Sequence, residues 1–399
     1  MSDTPLSKSD QPGTIARLLR DGQVRAVLAQ LFVVGIVVLL GWIGISNVLE
    51  NLARQNIASG FGFLDENAGF GVNQTLVDYD AGSTYGQAFW VGLTNTLLVA
   101  VLGVFLTTLL GFAVGIGRLS SNWLVAKLCT AYVETLRNIP LLLQIFFWYF
   151  GVLKALPHPR DSIALGEGFL VNIRGVYFPR PVGEEGIAIV LFVLLAGIVA
   201  TIVLSRAAAR HLLRTGQVRK IWPIGLGLIV GLPLVLYFVL GQPLGLDMPQ
   251  ASRFNVKGGV RIIPELIALV LALTTYTASF IAEIVRAGIL SVPKGQSEAA
   301  AALGLPNGLT LRKIIIPQAM RVIIPPLTSQ YLNLTKNSSL AVAIAYPDLV
   351  SVFAGTTLNQ TGQAVEILGL TMTVYLLLSL STAGFMNWFN SRMAIRGRS

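Results

Sequence analysis

The chain has 399 residues, 54% of them hydrophobic and only 12% charged, about half the charged fraction of a soluble domain. The net charge of +10 is spread through short segments between apolar runs. With no long basic stripe and no aromatic interleaving, it argues against a nucleic-acid partner and is accounted for by the excess of cations that membrane proteins keep on their inner side. A single cysteine, Cys129, excludes an intrachain disulfide and a cysteine metal cluster, and the two histidines, His158 and His211, are too far apart to suggest a metal site.

A bilayer core of about 30 Å needs about 20 mostly apolar residues as a helix. The polar N-terminus, MSDTPLSKSDQPG, lacks the pattern of a cleaved signal, and the first apolar run is too long for a signal core. Charge-free intervals of 24 residues (Arg25 to Glu50), 37 (Asp80 to Arg118, with a helix expected from near Phe89), 20 (Glu185 to Arg206), 26 (Lys220 to Asp247) and 25 (Glu366 to Arg392) each predict a span. Three less clean spans are expected over Arg137–Lys154, Glu265–Glu283 and Arg321–Asp348, the last interrupted only by Lys336. The runs are continuously apolar, not alternating, so helices are expected and a β-barrel is not. The fold class is therefore an all-α integral membrane protein of about eight transmembrane helices. Pro223, Pro233 and Pro243 mark the fifth span as irregular, and Pro325 and Pro326 are expected to set the entry angle of the seventh. Trp42, Trp90, Trp222 and Trp388 suit the interfacial belts.

Eight spans put both termini on one side. With the N-terminus inside, the inner segments carry 20 Lys and Arg and the outer segments 8, which orients the chain with both termini cytoplasmic. The expected layout is a tail (1–24), a first span (25–46) and an outer loop (47–88). Spans two and three (89–156) are followed by outer segments that enclose a helical hairpin (157–260). The last three spans (261–390) and a tail (391–399) complete the chain.

The segment 276–348 is the most informative. Ser297 to Leu303 reads as a helix of about two turns, with Ser297 as N-cap, Glu298 complementing the helix dipole, Gly304 as the stop and Pro306 preventing continuation. So short a helix is marginal in water, and nearly all its residues are alanine or leucine. It is either a knob for a groove on a soluble partner or a helix folded back on its own bundle.

The register Glu298-Ala299-Ala300, three residues, Gly304, nine residues, Ile314-Ile315-Ile316-Pro317 resembles the EAA loop of ABC-importer permeases, with isoleucine where leucine usually precedes the proline. The segments Ala282–Gly288, Ser291–Gln296, Pro317-Gln318-Ala319 and Leu334–Leu340, together with Glu134–Gln144, are similar to polar and general amino-acid permeases of that family. Asn337 stands where that family often has an acidic residue. The resemblance covers roughly 85–155 and 262–390 and implies a type I permease core of five helices, here with three added ones. It also implies that the loop 291–321 carries a coupling helix docked on an ATPase dimer, with Glu298, Ala299, Ala300, Gly304 and Pro317 as the contact residues. A second permease chain, expected to differ from this one, and a periplasmic amino-acid-binding protein complete the implied importer in a bacterial inner membrane.

No G-x-x-x-x-G-K-[ST] phosphate loop occurs in the chain. ATP and Mg are therefore expected on the partner, and this chain is expected to be a transport subunit, not an enzyme, with no catalytic residues, metal or cofactor of its own. Lys336, expected near the middle of a span where a cation costs about 2.5–3.5 kcal/mol, is a candidate pathway residue with Gln330, Asn333, Asn337 and Ser338; the same polar side chains could instead be glue between helices. Glu134 with Arg137, and Glu283 with Arg286, have the spacing of structural ion pairs on one helix face. A stand-alone secondary transporter or channel is the rival reading, but it calls for mid-span carboxylates and inverted repeats, and the sequence has neither.

Overall fold

A computed structural model describes residues 22–54, 60–217, 220–252 and 255–393; the expected tail 1–24 and the last residues of the chain fall mostly outside them. The chain is mainly helical. The first helix, α1, runs Gly22–Arg54. The second, α2 (Tyr85–Gly117), starts four residues before the expected Phe89, because Thr84 and Gln87 form a reciprocal cap in which each side chain accepts the other's backbone N–H.

The third span is broken. Helix α3 (Trp123–Asn138) and α4 (Leu141–Phe146, continued by a π turn to Val152) meet at a bend of 106°. The cause is local: Ile139 precedes Pro140 and is held extended (φ −96°, ψ 125°), as a residue before proline prefers. The buried Gln144 donates to the carbonyls of Leu136 and Ile139, both at 3.0 Å, which satisfies acceptors that the bend would leave orphaned.

Helix α5 (Ile187–Thr215) is followed by α6 (Trp222–Leu226) and α7 (Leu232–Val239), joined through a π turn at Gly227–Gly231. That turn lies just before Pro233, whose missing N–H breaks the regular ladder. Gly197 lets the hairpin close: a Cβ there would stand 2.2 Å from the Leu228 carbonyl oxygen.

The all-helical expectation misses one feature. The segments on either side of this hairpin, expected on the outer side, pair with each other as short antiparallel strands. Strands β1 (Ile163–Ala164), β2 (Leu170–Asn172), β3 (Gly175–Phe178) and β4 (Arg180–Gly183) precede α5, and β5 (Leu244–Asp247), β6 (Gln250–Ala251), β7 (Val256–Lys257) and β8 (Val260–Ile262) follow α7. One sheet has the order β1-β2-β3-β8 and a second is β4-β5, with Val176 opposite Ile262 and Arg180 opposite Asp247. The two segments therefore share one side of the membrane, and the hairpin between them leaves and returns to that side.

Helix α8 (Pro264–Leu290) is central: 56% of its membrane-length window is buried, against none for α1 and 11% for α5. Its contact with α2 is close because Gly111 and Gly115 of α2 face Ile281 and the carbonyl of Ala282, the small-residue packing that membrane helices favour. Helices α9 (Lys294–Ala302), α10 (Asn307–Thr310), α11 (Ile316–Asn337), α12 (Leu358–Thr361) and α13 (Ala364–Met393) complete the described chain. Among the described residues, six helices are long and apolar enough to cross a membrane, and the bent pair, taken as one span, makes a seventh. The 22-residue α11 is long enough for an eighth at 1.5 Å per residue, but Arg321, Lys336 and the amides Gln318, Gln330, Asn333 and Asn337 make it polar. Trp42, Trp90, Trp222 and Trp388 are all exposed.

Candidate functional site

Three groups of side chains stand out. The first is the short helix α9 between α8 and α11. It begins one turn earlier than expected: Pro293 is the N-cap residue, and Ser297 sits inside the helix instead of capping it. Proline suits this start because helix entry requires no N–H there. The end is a Schellman turn. The Leu305 N–H donates to the Ala300 carbonyl and the Gly304 N–H to that of Ala301, with Gly304 at φ +70°. Nothing lies within 4 Å of a Cβ built on Gly304, so conformation, not space, demands glycine. Ala300 is buried, whereas Glu298, Ala299 and Gly304 are exposed, and Leu303 is 78% exposed. The Gln318 side chain donates to Gln296 at 3.2 Å and ties α9 to α11. Pro317 lies in the first turn of α11, part-buried.

The second group is a polar cluster where α2, α3 and α8 converge. Glu283 pairs with Arg286 at 2.6 Å, as its spacing predicts, and also with Arg118 just past α2. The Glu134–Arg137 pair does not form among the described residues. Arg137 instead places its guanidinium over the Phe280 ring, 5.0 Å from the centroid, where the ring face attracts the cation. These side chains, with Val133 and Asn138, line a cavity of about 370 Å³. The sequence offered no signal for Arg118, whose partner is 165 positions away.

The third group is α11. The expected span to Asp348 ends early, at Asn337. The hydroxyls of Ser338 and Ser339 donate back to the carbonyls of Thr335 and Lys336, at 2.8 and 2.7 Å, and the chain tightens into a 3-10 helix, Ser338–Ile344. Lys336 is thus in the last turn of a helix, where a cation complements the dipole, and its neighbour Leu334 packs against Gly103 near the middle of α2. It is exposed, as is Asn333; Gln330 and Asn337 are part-buried, and Ser338 is buried. Residues 338–361 fold back over the N-terminal part of α2, with the Leu349 N–H donating to Thr96 and Asn95 donating to the Pro347 carbonyl. Buried there, and not singled out by the sequence, is Asp348. Its carboxylate accepts the Ser351 N–H at 2.8 Å and the Tyr375 hydroxyl at 3.4 Å.

The chain has counterparts among known proteins. Residues 227–395 match the family described as the binding-protein-dependent transport system inner membrane component. The chain is 54% identical over 374 residues to the putative amino-acid ABC transporter permease protein YhdX of Escherichia coli strain K12, covering 93% of this chain and 95% of that one. The chain belongs to the amino-acid ABC transporter permease family.

Other relatives agree. The general L-amino acid transport system permease protein AapQ of Rhizobium johnstonii is 54% identical over 376 residues, 94% of each chain. The glutamate/glutamine/aspartate/asparagine transport system permease protein BztB of Rhodobacter capsulatus is 39% identical over 421 residues, covering 96% of this chain and 97% of that one. The permease described here is a multi-pass inner-membrane protein and a transport subunit, not itself an enzyme.

Proposed function

We propose that this permease moves L-amino acids into the cytoplasm by alternating access, driven by a separate ATPase dimer that binds ATP and Mg and docks on α9. The observation that carries this reading is α9 itself. A nine-residue alanine-rich helix is marginal alone, yet this one is capped at its end, tethered to α11 and left open on the side that bears Leu303. Glu298, Ala299, Ala300, Gly304 and Pro317 are the coupling residues, with Ala300 facing inward and the rest toward the partner. The 20 to 8 distribution of Lys and Arg supports placing α9 and both termini in the cytoplasm.

The pathway runs along the polar face of α11 that carries Gln330, Asn333, Lys336 and Asn337, closed by a second permease chain of different sequence. An exposed polar face on a membrane helix requires a wet cavity or a partner. Ser338, buried and bonded to Thr335, shapes the turn and does not line the path. A soluble amino-acid-binding protein delivers substrate from outside. The five-helix core comprises 89–156 and 261–390, with 25–46 and 157–260 as additions. The names of the relatives, for general L-amino acid transport and for acidic amino acids and their amides, support this substrate class. The test is co-purification of the ATPase with wild type and with a chain lacking 298–304, together with uptake of labelled amino acids. Retention of the ATPase by the deleted chain would refute the docking assignment.

A further inference from the structure

A second cavity, of about 220 Å³, opens at the far end of α8 from α9, and four separate parts of the chain build it. Asn73 comes from the outer loop, Lys154 from the end of the bent span, Arg174 from the turn between β2 and β3, and Arg261 from β8; Glu265 stands in the first turn of α8. The turn that carries Arg174 is clamped. The buried Asn172 accepts the Arg174 N–H at 2.8 Å and donates to Ser162 at 2.9 Å. Gly175, at φ +133°, would place a Cβ 2.0 Å from the Ile262 carbonyl oxygen, so only glycine lets β3 press this closely on the end of β8.

The charges in this cavity are unbalanced, three cations to one carboxylate. Among the described residues, Lys154, Arg174 and Arg261 form no ion pair. The Lys154 ammonium is 5.0 Å from the centre of the Tyr149 ring, and Arg261 donates to the Asn73 carbonyl at 3.4 Å. The single carboxylate, Glu265, accepts the Tyr149 hydroxyl at 2.8 Å and keeps acceptor capacity to spare. Unpaired cations in a concavity attract anions, and guanidinium groups match carboxylate geometry. One carboxylate beside three cations is complementary to a ligand with one ammonium and one carboxylate.

Resting on the importer reading above, we infer that this cavity is an entry site for the zwitterionic head of an α-amino acid, its carboxylate on Arg174, Arg261 and Lys154 and its ammonium on Glu265. The site reads the part common to all amino acids and leaves the side chain unread. Because β2, β3 and β8 supply it, the site belongs to the added outer strands and not to the helical core alone.

The test uses the complete importer in proteoliposomes, with the binding protein varied and a panel of labelled acidic, neutral and basic L-amino acids that wild type carries. The Arg174→Gln/Arg261→Gln variant is expected to lower maximal uptake about ten-fold, alike for every side-chain class, with the half-saturating concentration of binding protein unchanged. Glu265→Gln should act in the same way, and Arg174→Lys/Arg261→Lys should recover most of the rate. Co-purification with the ATPase verifies that the variants fold. A raised half-saturating concentration at unchanged maximal rate would mean that the cations dock the binding protein, and would overturn the inference. So would a loss confined to one side-chain class, or no loss. Absence of uptake by wild type would instead count against the importer reading.

Discussion

Arg118, at the C-terminal end of α2, and Glu283, on α8, form an ion pair across 165 positions of sequence, and the same carboxylate holds Arg286. The side chains of Arg118 and Glu283 are 12% and 30% exposed, so the pair is well shielded. Glu283→Gln leaves two guanidinium groups around a neutral amide and is expected to cost about 1–3 kcal/mol. The exchange Arg118→Glu/Glu283→Arg should recover part of that loss. Thermal unfolding of the detergent-solubilised protein, run as a double-mutant cycle, measures it; strictly additive effects would show that the two residues do not interact.

Gly304 is held left-handed with open space around it, so substitutions there should rank by backbone tolerance alone. Gly304→Asn should keep most transport, because asparagine visits this conformation. Gly304→Ala should lose more, and Gly304→Val most, the strain costing about 1–2 kcal/mol. Membrane insertion should be unaffected throughout. Uptake and ATPase stimulation across the series provide the check, and a ranking by side-chain size instead would point to steric exclusion by the partner.

Gly111 and Gly115 set the distance between α2 and α8. A Cβ at Gly115 would stand 2.7 Å from the Ala282 carbonyl oxygen, and one at Gly111 2.6 Å from Ile281. Gly115→Ala should cost about 1–3 kcal/mol by overpacking, and Gly115→Leu should sharply reduce folded yield. Gly295→Ala, on exposed α9 with nothing within 4 Å, should be tolerated. The fraction of monodisperse protein after extraction separates these outcomes.

Gln144 closes the bend between α3 and α4 with two hydrogen bonds. Gln144→Leu has nearly the same size but leaves the carbonyls of Leu136 and Ile139 without their donor. The expected loss is about 1–3 kcal/mol, seen as a lower unfolding temperature, whereas Gln144→Glu should lose one donor pair and fare no better. An unchanged unfolding temperature for the leucine variant would show that other donors serve the bend.

Lys336 is exposed in the last turn of α11, so Lys336→Met should change stability by less than about 0.5 kcal/mol. Were the lysine buried in lipid, the same change would be strongly stabilising. Uptake, in contrast, should fall if the open face of α11 lines the path. Measuring both on one preparation separates position from role.

Much was legible in the amino acids. Continuous apolar runs announced the spans because lipid forces the backbone to satisfy itself locally. The residues from Ser297 to Leu303 marked a short helix, and Gly304 revealed its stop because a left-handed turn has few other solutions. The i, i+3 pair of Glu283 and Arg286 was readable for the same reason, being a property of one helix. What tertiary structure alone decided involves partners distant in sequence. Arg137 had a carboxylate at the right spacing and took the Phe280 ring instead. The end of α11 was set by hydroxyls competing for backbone carbonyls, while residues 338–361 found better packing on α2 than across the bilayer. The strands that join 163–183 to 244–262 are too short to show a period, and only their pairing, brought about by the hairpin between them, gives them a structure.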